Sequence, residues 1–521
     1  MAYCGYAENL MVFIYVVVVM LVLIIILLII VFLINFHIVV FSLKVFNHGF
    51  FSDLEFSLTV WNLLFLIIVL IIRIRVILFS CSYINGLRVR NFLILYLRFI
   101  FSILWLIINN NFYWMILGWD GLGVVSFMLI VFYINVERIN NGLFTLFQNR
   151  LGDVFFVLFI VGIRRLVINL NLVVKIGLLS LIIGACVKRA QFPFNSWLLA
   201  AIRAPTPISS LVHSSTLVVA GVYILLQFSY CIIDYLLLIK WLRILTLVIR
   251  SFGLLNEIDI KKLIAYSTMS HVALIIYFYR FRLYKIVYFH LNIHAMFKSM
   301  MFICFGFVIL CSYHRQDKRL VSLLVLNPVV KIIYYFSCMC LAGLPFLRGF
   351  FSKDLIIEKI MELNPELFFI LILLLFLRVR IYYRLKLISL IRWFNSLVIV
   401  EKNYFGLWSV VGIIMVSLLI INVYLRLIFR IRLEFISSKW FIYLLVLIIA
   451  LLRIITNLNF KIDVYDKSKN FFEIWVCKVN DLEKYIYWNV FLIMGYVRWL
   501  SHIKLVLLIN WWVLILFVVL F

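Results

Sequence analysis

The chain has 521 residues, of which 67% are hydrophobic and 13% charged; a soluble domain carries about 45–50% apolar and about 25% charged residues. That composition excludes a soluble enzyme, a disordered chain, a collagen (Gly 19, Pro 6) and a disulfide scaffold. The balance of 48 basic against 21 acidic residues, +27, points to a membrane and not to nucleic acid. Its basic residues sit beside apolar runs, as at Arg73 and Arg75, Arg88 and Arg90, Arg164 and Arg165, Arg280 and Arg282, where they reach lipid headgroups and bias orientation.

A membrane-spanning helix needs about 20 mainly apolar residues. Runs of that kind occupy 10–35, 57–80, 91–109, 112–134, 143–163, 166–188, 206–229, 235–255, 261–279, 284–311, 320–345, 353–378, 379–398, 405–430, 437–455 and 503–521. The first is too long for the core of a cleavable signal, so no leader is expected. Short polar connections such as Asn47 to Glu55 and His314 to Arg319 leave no room for a soluble domain. The expectation is an all-α polytopic membrane protein of about 14–16 transmembrane helices. Its expected sections are N-terminal helices over 1–110, a core over 111–400, further helices over 401–455, a lateral helix over 456–502 and a terminal anchor over 503–521.

Two places break the helical pattern. Val187 to Pro207 holds Pro193, Pro205 and Pro207, and Gly343 to Asp354 sets Pro345 between Gly343 and Gly349. Proline removes a rung of the helical ladder, and the freed carbonyls must face protein or a wet cavity. Each break carries a lysine, Lys188 or Lys353. Interrupted helices in two halves of a chain point to a transport site. Further on, the segment from Thr456 to His502 alternates charges with Phe471, Ile474, Trp475, Leu482 and Ile486, approximating one apolar helical face, as an amphipathic helix along the membrane surface would.

Ionisable groups inside apolar runs carry the chemistry. Asp120 lies among Gly118, Gly121 and Gly123, and Asp153 has Arg150 three residues before it. His290, His294 and Lys298 recur every four residues and share one helical face. His213 is surrounded by Ser209, Ser210, Ser214, Ser215 and Thr216, hydroxyls able to hydrogen-bond an imidazole and order water. A charge in hydrocarbon costs at least about 2.5–3.5 kcal/mol, so such residues need partners or water. Together they suit proton transfer: a carboxylate that moves toward or away from a buried lysine makes it hold or release a proton, and histidine shuttles protons near neutrality. The nine cysteines form no C-x-x-C pair, and no nucleotide loop or nucleophile elbow is present, so no metal, haem or cluster is expected in this chain.

The segments GWDGLGVVSF, NRLGD, KRAQFPFNSWL, APTPISSLVHSSTLVVAGVYIL, DIKKLIAYSTMSHVAL, HAMFKSMMF and LPFLRGFFSKDLIIE, in that order over about 112–360, resemble the antiporter-like membrane subunits of respiratory complex I, the NADH–ubiquinone oxidoreductase. The resemblance implies two inverted repeats, each with a discontinuous helix, and a long lateral helix with a final anchor. It places the motif carboxylate on Asp120 and its lysine partner on Lys188. The second aspartate falls on Asp153, the central relay on His213, His290, His294 and Lys298, and the distal lysine on Lys353 beside Asp354. It implies proton translocation coupled to electron transfer in partner chains that hold NADH, FMN, iron–sulfur clusters and ubiquinone. The implied partners are sister antiporter-like subunits and lipid, in the mitochondrial inner membrane; the Phe-, Ile- and Asn-rich composition fits an AT-rich organellar gene.

Four positions depart from the usual pattern: Asp120 stands where Glu is common, Arg189 where Ser is, Leu199 where Pro is, and Arg203 where the residue is small or polar. The alternatives are a subunit of a multisubunit cation/proton antiporter, which shares these motifs, and a membrane scaffold whose polar groups merely pair.

Overall fold

Long runs of Ile, Leu, Val and Phe form helices here because hydrocarbon offers no partner to a backbone N–H or C=O, and the helix satisfies both within itself. The computed structural model describes residues 2–34, 39–43, 54–84, 89–133, 135–164, 171–212, 216–229, 244–250, 253–254, 257, 259–279, 284–311, 316, 328–343 and 352. The chain divides into two units, 1–462 and 463–521, and all described residues belong to the first. In chain order the elements are α1 (Ala2–Ile34), β1 (Val39–Leu43), β2 (Leu54–Leu58), α2 (Val60–Tyr83), α3 (Val89–Ile108), α4 (Phe112–Ile130), α5 (Val136–Arg164), α6 (Asn171–Lys188), α7 (Ser196–Ala201), α8 (Thr206–Leu211), α9 (Leu217–Gln227), α10 (Ile260–Tyr279), α11 (Tyr284–Cys311) and α12 (Pro328–Ala342).

Five of these helices are long and apolar enough to cross a membrane: Val60–Ser80, Val89–Ile108, Phe112–Ile130, Val136–Gly162 and Tyr284–Leu310. The protein is a polytopic helical membrane protein. The expected lateral helix over 456–502, the terminal anchor and the spans beyond 353 lie outside the described residues.

Two local features differ from the sequence expectation. The connection after α1 contains an antiparallel pair, β1 against β2, with Phe41 opposite Phe56. Glu55 accepts a backbone hydrogen bond from Asn110 (2.9 Å), which ties the pair to the α3–α4 turn. Helix α5 begins seven residues before its apolar run, because Glu137 in its first turn suits the positive end of the helix dipole. Within the run 206–229 the structure describes α8 and α9, and residues 213–215 between them lie outside the described residues. The Thr216 hydroxyl donates to the Leu211 carbonyl at 2.8 Å. Pro207 stands in the first turn of α8, where its missing N–H costs no bond.

Helices α2 and α11 are buried on almost all sides, and Phe65 of α2 stacks on Tyr223 of α9 at 5.6 Å between centroids. By contrast α5 turns Phe147, Val154, Val157, Leu158 and Val161 outward, the apolar face expected against lipid. The α3–α4 crossing is close: a Cβ on Gly118 would lie 2.8 Å from the Ser102 carbonyl oxygen and from the Leu106 backbone. Only glycine fits without moving the backbone. Gly118→Ala is therefore expected to lower stability by about 1–3 kcal/mol, read as a lower thermal midpoint of the detergent-solubilised protein. An unchanged midpoint would mean that the two helices do not meet this closely.

Candidate functional site

The first site gathers where α4, α5 and the end of α6 meet. Lys188 is the last residue of α6, where helical carbonyls lack intrahelical partners and favour a cation. Its side chain is 2% exposed, and Nζ lies 3.4 Å from Asp153 Oδ1. Nζ also donates to the Trp119 carbonyl at 3.1 Å and rests 4.7 Å from the centre of the Trp119 ring. Trp119 is fully buried and stacked on Phe156 at 5.3 Å, so the indole that receives the ammonium is itself fixed.

Asp120 sits one residue along α4 from Trp119, but its carboxylate pairs elsewhere. Arg150 Nη1 lies 3.5 Å from Asp120 Oδ2 and 3.5 Å from Asp153 Oδ2. The cluster thus holds two cations and two carboxylates, with Asp153 shared between Lys188 and Arg150. The direct carboxylate partner of Lys188 is Asp153, and Asp120 is held by Arg150. An aspartate is one methylene shorter than a glutamate, which fits this division. A Cβ at Gly123 would come within 3.3 Å of Lys188 Nζ, so the bare backbone there leaves the lysine its space.

Beyond Lys188 the chain leaves the helix. Ala190 adopts φ 51, a left-handed conformation costing about 1–2 kcal/mol for an L-residue. The carbonyl of Val187 accepts from Trp197 Nε1 at 2.9 Å, and Gln191 Oε1 accepts from Thr246 at 3.0 Å. The break is satisfied by protein groups, as hydrocarbon requires. Arg189 turns back along α6: its Nε donates to the Ala185 carbonyl at 2.8 Å and its Nη2 to Cys186 Sγ at 3.7 Å.

The second site lies between α10 and α11. His290, His294 and Lys298 are all buried on the α11 face toward α10. Lys298 Nζ donates to Ser267 Oγ and to the Ile264 carbonyl (3.3 Å). His290 Nδ1 is 2.8 Å from Ser352 Oγ. His271 of α10 completes the group, its ring 5.1 Å from that of His294 and 6.0 Å from that of His290. Rings at these separations, with hydroxyls beside them, can pass a proton through short hydrogen-bonded steps.

Of the nine site residues expected from sequence, Asp120, Asp153 and Lys188 meet in the first site and His290, His294 and Lys298 in the second. His213, Lys353 and Asp354 lie outside the described residues. Sequence reading missed His271, Ser267 and Ser352. The signal for His271 was present: it follows Ser267 by four residues on α10, the face that Lys298 reaches. No group of three or more His, Cys, Asp or Glu able to hold a metal occurs among the described residues.

A profile of the NADH:quinone oxidoreductase/Mrp antiporter transmembrane family matches residues 109–379, which contain both sites. The chain is 37% identical over 362 residues to the NADH-ubiquinone oxidoreductase chain 5 of Locusta migratoria, covering 66% of this chain and 63% of that one. It is 34% identical over 442 residues to that of Aedes aegypti, covering 79% and 75%. The chain spans under two thirds of the length of the locust relative and of the Anopheles gambiae relative, of which 58% is covered. Among solved structures, the Mrp complex from Dietzia sp. DQ12-45-1b is similar with TM-score 0.71 and 20% identity, covering 93% of this chain and 57% of that one. A chain of an archaeal membrane-bound sulfane sulfur reductase is similar with TM-score 0.65 and 19% identity, covering 82% and 94%.

The geometry ranks the two aspartates. Asp153→Asn removes the carboxylate paired directly with Lys188, a change that costs about 3–5 kcal/mol when it strands a buried charge. Asp120→Asn leaves the Lys188–Asp153 pair intact. Proton uptake and yield of the assembled protein are expected to fall further in Asp153→Asn than in Asp120→Asn. The reverse order would make Asp120 the working partner of Lys188.

Proposed function

Because the chain belongs to the NADH:quinone oxidoreductase/Mrp antiporter transmembrane family, we propose that it is a proton-translocating membrane subunit of an NADH:ubiquinone oxidoreductase. The observation that carries this reading is the pair of buried lysines, each set among groups suited to exchanging a proton. Lys188 has a carboxylate it shares with Arg150. Lys298 has a hydroxyl, and the same helix face carries two histidines. The named relatives support the choice of assembly.

In the proposed cycle the first site is the toggle. While Asp153 faces Lys188, the ammonium is neutralised and the proton is held. When Arg150 draws Asp153 and Asp120 to itself, Lys188 loses its counter-charge and gives its proton up. The proton moves on through His213 and the Lys298, His294, His271 and His290 group toward Lys353 and Asp354. Electron transfer from NADH to ubiquinone takes place in partner subunits, which hold the FMN and iron–sulfur clusters. This chain's share is the charge movement. Sister antiporter-like subunits flank it in the mitochondrial inner membrane, with the segment 456–502 bracing them.

Lys298→Ala is expected to abolish NADH-driven proton uptake into vesicles while the complex still assembles, as judged on a native gel stained for NADH oxidation. Loss of the assembled complex would make Lys298 structural. Sodium-dependent proton exchange without NADH would instead establish the cation/proton antiporter.

A further inference from the structure

A cavity of about 530 Å³ opens where the start of α5, the α7–α8 link and the start of α10 meet. Glu137, Arg138, Arg203, Asp259 and Lys262 line it. One ion pair spans it, Arg203 to Glu137 at 3.4 Å, with side chains 54% and 81% exposed; a second, Lys262 to Asp259 at 2.6 Å, lies at the start of α10. Pairs this exposed contribute at most about 1 kcal/mol and exchange readily with water. The ring is a wet, charged mouth.

Beside its wall lies Lys261, next in sequence to the half-exposed Lys262 but buried. Lys261 is 3% exposed. Its Nζ donates to the carbonyl of Ala204 at 3.2 Å, the residue following Arg203 of the cavity lining. Among the described residues no carboxylate pairs with it. A buried lysine held on a neutral carbonyl lacks the counter-charge that would fix its proton. Neither site described above uses it.

The helix that carries Lys261 leads to Lys298. At 100° per residue, Lys261, Ile264, Ser267, Thr268 and His271 fall within about a third of the circumference of α10. The Ile264 carbonyl and the Ser267 hydroxyl accept from Lys298, and His271 meets the α11 histidines. Lys261 and Ser267 are six residues apart, about 9 Å along the axis, a distance that two or three hydrogen-bonded waters cover.

We propose that this cavity is the aqueous mouth of the Lys298 pathway and that Lys261 is its loading residue. A hydronium in the cavity gives its proton to neutral Lys261 Nζ and becomes water. The Lys261 ammonium then releases that proton along the polar side of α10, and neutral Lys298 takes it up. One proton has moved inward, Lys261 is neutral again, and no other bond has changed. The proposal rests on the proton-translocating reading above.

The test uses the whole complex in vesicles, with NADH-driven proton uptake as the readout. Lys261→Met is expected to cut uptake about tenfold or more. Lys261→Arg should fail equally, because a guanidinium donates the same hydrogen bond but does not release its proton. Lys261→His, which can load and unload, should recover part of the uptake. Parental uptake in Lys261→Arg would overturn the proposal and leave Lys261 a structural donor. A second measurement avoids the buried residue: in Arg203→Cys, a bulky neutral thiol reagent should block uptake, with the equally treated parent as control. Uptake unaffected by that modification overturns the mouth. A parent complex that oxidises NADH yet moves no protons overturns the function reading itself, and this proposal with it.

Discussion

A charge placed among hydrocarbon chains must be neutralised by the protein that carries it, because neither lipid nor bulk water will do so. Lys188 shows how much structure follows from that one constraint. Its ammonium needs a carbonyl, and that of Trp119 on α4 accepts from it at 3.1 Å. It needs a carboxylate, so Asp153 of α5 faces it at 3.4 Å. It needs a close and rigid wall, supplied by Trp119 pinned on Phe156. Ending α6 exposes the backbone in turn, and the Trp197 indole reaches in to the Val187 carbonyl. The discontinuity and the charge lie together: the helix stops at the lysine, whose ammonium is served by the Trp119 carbonyl of α4 and by Asp153 of α5.

Lys298 meets the same constraint differently. It lies inside an unbroken helix, in the interior of α11, and its contacts include a hydroxyl and a carbonyl of α10. Ser267 and Ile264 orient the Lys298 amine from α10, where Lys188 has the Asp153 carboxylate. In the proposed cycle Lys188 would hold a proton until that carboxylate moves, and Lys298 would pass it on. The serine hydroxyls of α10 also donate to carbonyls one turn back, as Ser267 does to Ile264 at 2.6 Å. Their oxygens remain open to a donor such as Lys298.

Much of this was legible in the sequence because the membrane writes simple rules. The spans 91–109, 261–279 and 284–311 correspond to α3, α10 and α11 to within two residues, since a sustained apolar run must be helical where hydrocarbon offers its backbone no partner. The four-residue spacing of His290, His294 and Lys298 placed them on one face. What stayed hidden was partner choice across helices. Nothing in the spacing of Asp120, Asp153 and Lys188 says which carboxylate faces the lysine, because that depends on how α4 and α5 are rotated about their axes. The β1–β2 pair was missed because its strands are five residues each and lack the length that makes periodicity readable.

The shorter aspartate at 120 has a consequence for how the first site can work. With one carboxylate on one lysine, charge separation is a matter of distance alone. Here Arg150 stands 3.5 Å from both aspartates, and Asp153 already serves two cations. A rotation of one side chain can then hand the neutralising charge from Lys188 to Arg150 without any ion leaving the cluster or any helix separating. The cost of each arrangement is kept low because two positive and two negative charges remain together throughout. Arg150, the most exposed of the four at 38%, is the member with room to move. A signal reaching this site from the flank of α5 would therefore act first on Arg150, and through it on the proton of Lys188.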